Sequence, residues 1–187
     1  MAVLWRFDQD LYLALRSPDN EREQVIARAW YQFLRAIGYL PLWIALGLAL
    51  LLQDGPWMRD VPRRRRWFGL RVVLSAGLSA GFSELIQPWI GRLRPNLTGG
   101  EHRYHGMPGV AADQISFGLP SSHAAVASGG AFMVMMLYPR AAIVALTLAV
   151  GCSWTRILQG GHFPSDVFAS AIIGYAWARL LRPRLDA

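Results

Sequence analysis

Three short stretches of the chain carry side chains able to handle a phosphate. They run from Gln87 to Pro95, from Pro120 to His123 and from Thr155 to Asp166. Arg94 and Arg156 offer planar guanidinium forks that pair with phosphate oxygens. Ser121 and Ser122 add hydroxyl donors, and a helix beginning there presents unpaired N–H groups and a favourable dipole to an anion. His123 is a candidate proton donor and acceptor. Pro164 suits the first turn of a helix. That places Asp166 in the turn after His162, where a carboxylate can hold one imidazole nitrogen and leave the other free to attack phosphorus. Each stretch also has a plainer reading when taken alone. His162 and Asp166 would cap a helix at headgroup level, Ser121 would be an ordinary N-cap, and Arg94 or Arg92 would reach for lipid headgroups.

The stretches lie at the edges of long apolar runs. Five runs approach the roughly 20 residues of a membrane-crossing helix: about 33–52, 67–90, 122–138, 141–158 and 164–181. The expected fold is therefore all-α, a polytopic membrane helix bundle of about five transmembrane helices. Residues 1–30 are too charged to cross. Trp5, Phe7, Leu11, Leu13, Leu15 and Ile26 make them an interfacial, amphipathic helical segment. The charges in this stretch also leave no uninterrupted apolar region of the kind that precedes signal cleavage. The chain reads as one domain, 1–187, with residues 96–119 as a loop on the side of the chemistry. Gly77 and Gly81 have the spacing of a close helix-packing site.

Charge orients the bundle. Arg59 and Arg63 to Arg66 follow the first run, and Arg179, Arg182 and Arg184 follow the last. Four crossings separate them, so both fall on one side, which the positive-inside rule makes cytoplasmic. All three chemical stretches then emerge on the opposite, outer face. Counting crossings brings them together although they are far apart in sequence.

Jointly the stretches resemble the signature of the type 2 phosphatidic acid phosphatase superfamily, Lys-x6-Arg-Pro, Pro-Ser-Gly-His and Ser-Arg-x5-His-x3-Asp. Arg94-Pro95, Pro120-Ser121, His123, Arg156, His162 and Asp166 match it. Gln87 stands at the family's lysine, Ser122 at its glycine and Thr155 at its serine. The resemblance implies that His162 is the nucleophile, that Asp166 orients it, and that His123 protonates the leaving oxygen and then helps activate water. Arg94, Arg156, Ser121, Ser122 and Gln87 would bind the phosphoryl group, with no metal and no cofactor. Gln87 replaces a charged contact by a neutral one, which predicts weaker phosphate binding or altered headgroup choice.

Composition agrees with a membrane setting. Hydrophobic residues make up 53% of the chain, and eight tryptophans suit an interfacial aromatic belt. The net charge of +7 comes from arginine without any lysine. It lies between apolar runs with no nucleic-acid motif, so no nucleic-acid partner is expected. The expected partners are membrane lipids and a lipid phosphate or diphosphate substrate. Cys152 is alone and excludes an intramolecular disulfide. The segment from Glu101 to His105 fits no strong metal-ligand spacing and reads as a polar loop over the site. The function expected is an integral membrane lipid phosphatase facing the periplasm. The alternatives are a lipid-to-lipid phosphotransferase with the same site, and a non-catalytic lipid-binding or transport protein.

Overall fold

The computed structural model describes residues 2–54, 65, 67–105 and 117–183. Among these the protein is all-helical apart from two isolated β-bridges. Helices α1 (Ala2–Leu15) and α2 (Arg22–Ala27) come first. They are followed by α3 (Ala29–Ala36), α4 (Leu40–Asp54), α5 (Phe68–Ile90), α6 (Ser122–Leu137), α7 (Ala142–Leu158) and α8 (Pro164–Leu181).

The bundle is built as lipid requires. Its outer surface carries large apolar side chains such as Leu52, Trp89, Ile143, Val150 and Leu180. Its interior is made of small residues, which let backbones approach where no hydrophobic drive separates core from solvent. Helix α6 is the axis, packed on α5, α7 and α8. Its Gly129 faces Ser75 and Ser79, and the Ser75 hydroxyl donates to the Gly129 carbonyl at 2.7 Å. Gly174 of α8 abuts the backbone of Gly129 from another side.

Helix α5, with 23 residues, and the run Pro139–Leu158 are each long and apolar enough to cross a membrane. At about 1.5 Å per residue α5 is about 34 Å long, the span of a hydrocarbon core. Helices α3 and α4 would form a third crossing only as a broken one, bent by 63°. This corrects the continuous first run expected over 33–52. The break falls at Ile37–Tyr39, just before Pro41, where the backbone of Gly38 lies against His123 and Cys152. A side chain at position 38 would collide with both. Helix α6 is apolar but has 16 residues.

The Gly77–Gly81 pair is a second correction. Nothing lies within 4 Å of a side-chain carbon built on Gly81, and only Leu40 approaches Gly77. These glycines do not bring helices together. They open a cavity of about 340 Å³ between α4, α5 and α6, which reaches Ser122 and His123.

The opposite end is closed by polar groups. Arg71, near the start of α5, donates to the Leu181 carbonyl at the end of α8, and Arg65 lies 3.9 Å from Asp54. Arg59, Arg63, Arg64, Arg66 and Arg184, on which the charge argument for orientation also drew, lie outside the described residues, as does much of the 96–119 loop.

Candidate active site

Gly91 ends α5 in a left-handed conformation, φ 69°, with its N–H on the Gln87 carbonyl. The chain that leaves it, carrying Arg92 and Arg94, is bracketed on both sides. Leu93 N–H donates to Arg103 O at 2.9 Å, and Gly118 N–H donates to Arg92 O at 2.8 Å. Residues two apart on an extended piece share a face, yet the two arginines meet different surroundings. Arg94 donates from Nε to the Phe117 carbonyl at 3.1 Å and is only partly buried. Arg92 is completely buried, which excludes the headgroup role considered for it above.

His162 precedes α8 and is 2% exposed. Its Nδ1 lies 2.8 Å from the Gly118 carbonyl and 3.7 Å from Asp166 Oδ2. A carbonyl can only accept, so Nδ1 carries the proton and Nε2 keeps its lone pair. The hydrogen-bond partner that orients the ring is thus Gly118, and Asp166 acts on it through space. Asp166 meanwhile accepts the Phe163 N–H at 2.7 Å, closing the first turn of α8.

Around these lie the remaining predicted residues. Ser121 and His123 open α6, and the Ser121 carbonyl accepts from Ser170 Oγ at 2.9 Å. Ser121 Oγ, His123 Nε2 and Arg156 Nε are buried with no hydrogen-bond partner in the protein. Arg156 is steadied from its other end, donating from Nη1 to Gln159 at 2.7 Å. Ser122 lines the α4–α6 cavity together with His123. Gln87 does not reach into open space. Its amide donates to the Pro120 carbonyl at 2.6 Å, a strut between the end of α5 and the start of α6.

Residues that sequence reasoning missed complete the site. The Tyr39 ring stands edge-on to His123, centroids 5.0 Å apart, and Arg35 lies 5.7 Å from Tyr39. Gly118 contributes through its backbone and leaves no signal in its side chain. The largest omission is Asp8 on α1. It is fully buried, as are Arg92 and Asp166. Arg92 bonds Asp8 Oδ2 at 2.6 Å and Ser165 Oγ at 2.7 Å, and pairs with Asp166 Oδ1 at 3.1 Å. Asp8 also accepts from Ser165 N at 2.8 Å and from its hydroxyl at 2.5 Å. The Phe163 ring lies under the guanidinium at 4.2 Å, a cation–π contact. His102, in the polar loop expected over the site, stands edge-on to Phe163 and 3.3 Å from Asp8. Asp8 and Tyr12 share one face of α1 at helical spacing. The apolar residues that mark this segment as amphipathic include neither of them.

Electrostatics favour a neutral His162. Burial pushes its pKa below the ordinary histidine value, Asp166 pulls it back, and Arg156 and Arg94 oppose protonation. Burial likewise lowers Arg94, against the pull of Asp166. The arrangement has a lone-pair nitrogen, two guanidinium groups, a hydroxyl and a second imidazole at one end of the bundle, beside the cavity between α4, α5 and α6.

A sequence model of the PAP2 superfamily matches residues 68–185. A lipid A 1-phosphatase from Rhizobium johnstonii is 29% identical over 118 residues, 62% of this chain and 46% of that protein. An undecaprenyl-diphosphatase from Sulfolobus acidocaldarius is 26% identical over 157 residues, 83% of this chain and 68% of that protein. The chain spans about half the length of the lipid A 1-phosphatases it matches. A transmembrane PAP2-type phosphatidylglycerolphosphate phosphatase from Bacillus subtilis has a similar fold. The TM-score is 0.61 at 20% identity, covering 97% of this chain and 85% of that one.

Proposed function

Because the chain belongs to the PAP2 superfamily, we propose that it is an integral membrane lipid phosphatase working through a phosphohistidine. The observation that supports this reading is the commitment of His162 Nδ1 to Gly118, which leaves Nε2 with its lone pair in surroundings that Arg94 and Arg156 make more positive. Nε2 attacks phosphorus, and the bond from phosphorus to the lipid or diphosphate oxygen breaks. His123 gives its proton to that oxygen. Water, deprotonated by His123, then displaces His162, and phosphate leaves. The charge that builds on the phosphoryl oxygens meets Arg94, Arg156 and Ser121, fixed donors that need no reorganisation as it develops.

The substrate class follows from the surroundings. The cavity beside His123 is lined mainly by apolar surface from Leu40, Gly77, Ala80, Gly81 and Val126, which suits hydrocarbon, with Tyr39, Ser122 and Glu84 adding polar groups. A headgroup phosphate or diphosphate on a long apolar tail satisfies both halves. The relatives' names, lipid A and undecaprenyl diphosphate, belong to that class. In this reading 1–187 is a single domain that crosses five times, through α3–α4, α5, α6, α7 and α8. Residues 1–30 and 96–119 lie on the side of the site, and that side faces the periplasm of an inner membrane.

Phosphate release by the purified protein in detergent tests the proposal. The panel is phosphatidic acid, phosphatidylglycerol phosphate, undecaprenyl diphosphate and lipid A. At least one should be hydrolysed by the wild type, and His162→Ala should abolish release while remaining folded. Near-normal turnover in that variant would remove His162 from the role of nucleophile.

A further inference from the structure

We infer that Asp8, on the first helix, is a positioning residue for the nucleophile, acting through Arg92 and Asp166. The inference rests on the phosphohistidine reading above and extends it to a residue outside the three chemical stretches.

The geometry is a shared cation. Arg92 stands between two carboxylates, Asp8 at 2.6 Å and Asp166 at 3.1 Å, with all three side chains shut away from solvent. Ser165 ties the arrangement together, accepting from Arg92 and donating to Asp8. One positive charge facing two negative ones leaves a net negative charge beside His162. That residue must become cationic as Nε2 bonds to phosphorus. Were Arg92 paired with Asp166 alone, the pair would be neutral and its field at the imidazole would be weak. Asp8 takes up part of Arg92, so Asp166 keeps an effective charge for His162, 3.7 Å away. Buried interactions of this kind are weakly screened.

Other charged groups face the same place. Arg156 comes from α7, Arg94 from the connection after α5 and His123 from α6. His102 and Tyr104 face Asp8 and Asp166 from the loop. None of these is an anion able to take the place of Asp8, whose removal therefore makes the surroundings of His162 more positive. The imidazolium should be disfavoured, its titration should move to lower pH, and Nε2 should be a poorer nucleophile.

Asp8→Asn keeps the shape and removes the charge. We expect kcat on the lipid panel to fall on the order of tenfold, below the roughly 10²–10⁴ attached to a direct acid–base group, with KM nearly unchanged. Asp8→Glu should recover part of the loss. Independently of turnover, ¹⁵N-histidine NMR in detergent reads the titration of His162, one of four histidines, identified by its absence in His162→Asn. Its midpoint should move down in Asp8→Asn and return toward wild type in Asp8→Glu. If Asp8→Asn does not fold, Ser165→Ala removes the hydroxyl linking Asp8 to Arg92 and should shift both readouts the same way by less. Wild-type kcat and an unmoved midpoint in a folded Asp8→Asn protein, or in Ser165→Ala where that substitutes for it, would overturn the inference. A wild type inactive on the whole panel would count against the phosphatase reading, and the NMR titration would still decide the role of Asp8.

Discussion

A single backbone carbonyl decides which nitrogen of His162 keeps a free lone pair. Gly118 O fixes the tautomer, and burial together with Arg156 and Arg94 holds the ring below the ordinary histidine pKa, against Asp166. The proposed attack needs the neutral ring, so the sign is definite: activity should persist as pH falls through 6.5 and be lost only below it. The acid limb of kcat/KM reports this directly, and a limb above the ordinary histidine value would contradict the assignment. Gln87 carries a second prediction. Its bond to the Pro120 carbonyl makes it a strut at the family's lysine position. Gln87→Leu should cost about 1 kcal/mol of stability, seen in thermal unfolding, and should lower turnover because Ser121 and His123 follow directly on that carbonyl. At this scale the sequence was informative about side chains in recurrent spacing and silent about backbone groups. Arg94, Arg156, His123, His162 and Asp166 stood out by type and interval. Gly118 did not, because every residue has a carbonyl.

At the level of helices, the apolar runs forecast most ends closely. The expected 67–90, 122–138, 141–158 and 164–181 become Phe68–Ile90, Ser122–Leu137, Ala142–Leu158 and Pro164–Leu181. Hydropathy could not show the 63° break between α3 and α4, since Gly38 and Pro41 are common in membrane helices. It also could not tell a glycine that admits a neighbouring helix from one that leaves a space. Gly129 is of the first kind and Gly81 of the second. The difference is testable. Gly81→Leu meets no backbone and should fold normally. It should fill the cavity beside His123 and raise KM for long-chain lipid phosphates several-fold, while p-nitrophenyl phosphate, which has no tail, is hydrolysed as before. Equal effects on both substrates would dissociate the cavity from tail binding.

For the molecule as a whole, the prediction is sidedness. Asn96, beside the site, and Arg140, in the α6–α7 turn, are exposed at opposite ends of the bundle. The one native cysteine is buried and will stay silent. In intact cells an impermeant thiol reagent should label Asn96→Cys and spare Arg140→Cys, and the reverse pattern would place the site on the cytoplasmic side. The convergence of the three stretches at one end follows from topology and was legible in the count of apolar runs. The inward turn of α1 was not, because Asp8 meets Arg92 and Ser165 at separations of 84 and 157 residues, distances over which no local pattern speaks.

That last separation has a consequence for how the protein is made. Asp8 is synthesised before Ser165 and Asp166, which belong to α8. The clasp between them can close only once α8 has been made. A chain made only as far as α7 holds Arg94 and His123 but lacks His162 and Asp166. Under the proposed mechanism such a chain has no nucleophile, and hydrolysis would wait for α8.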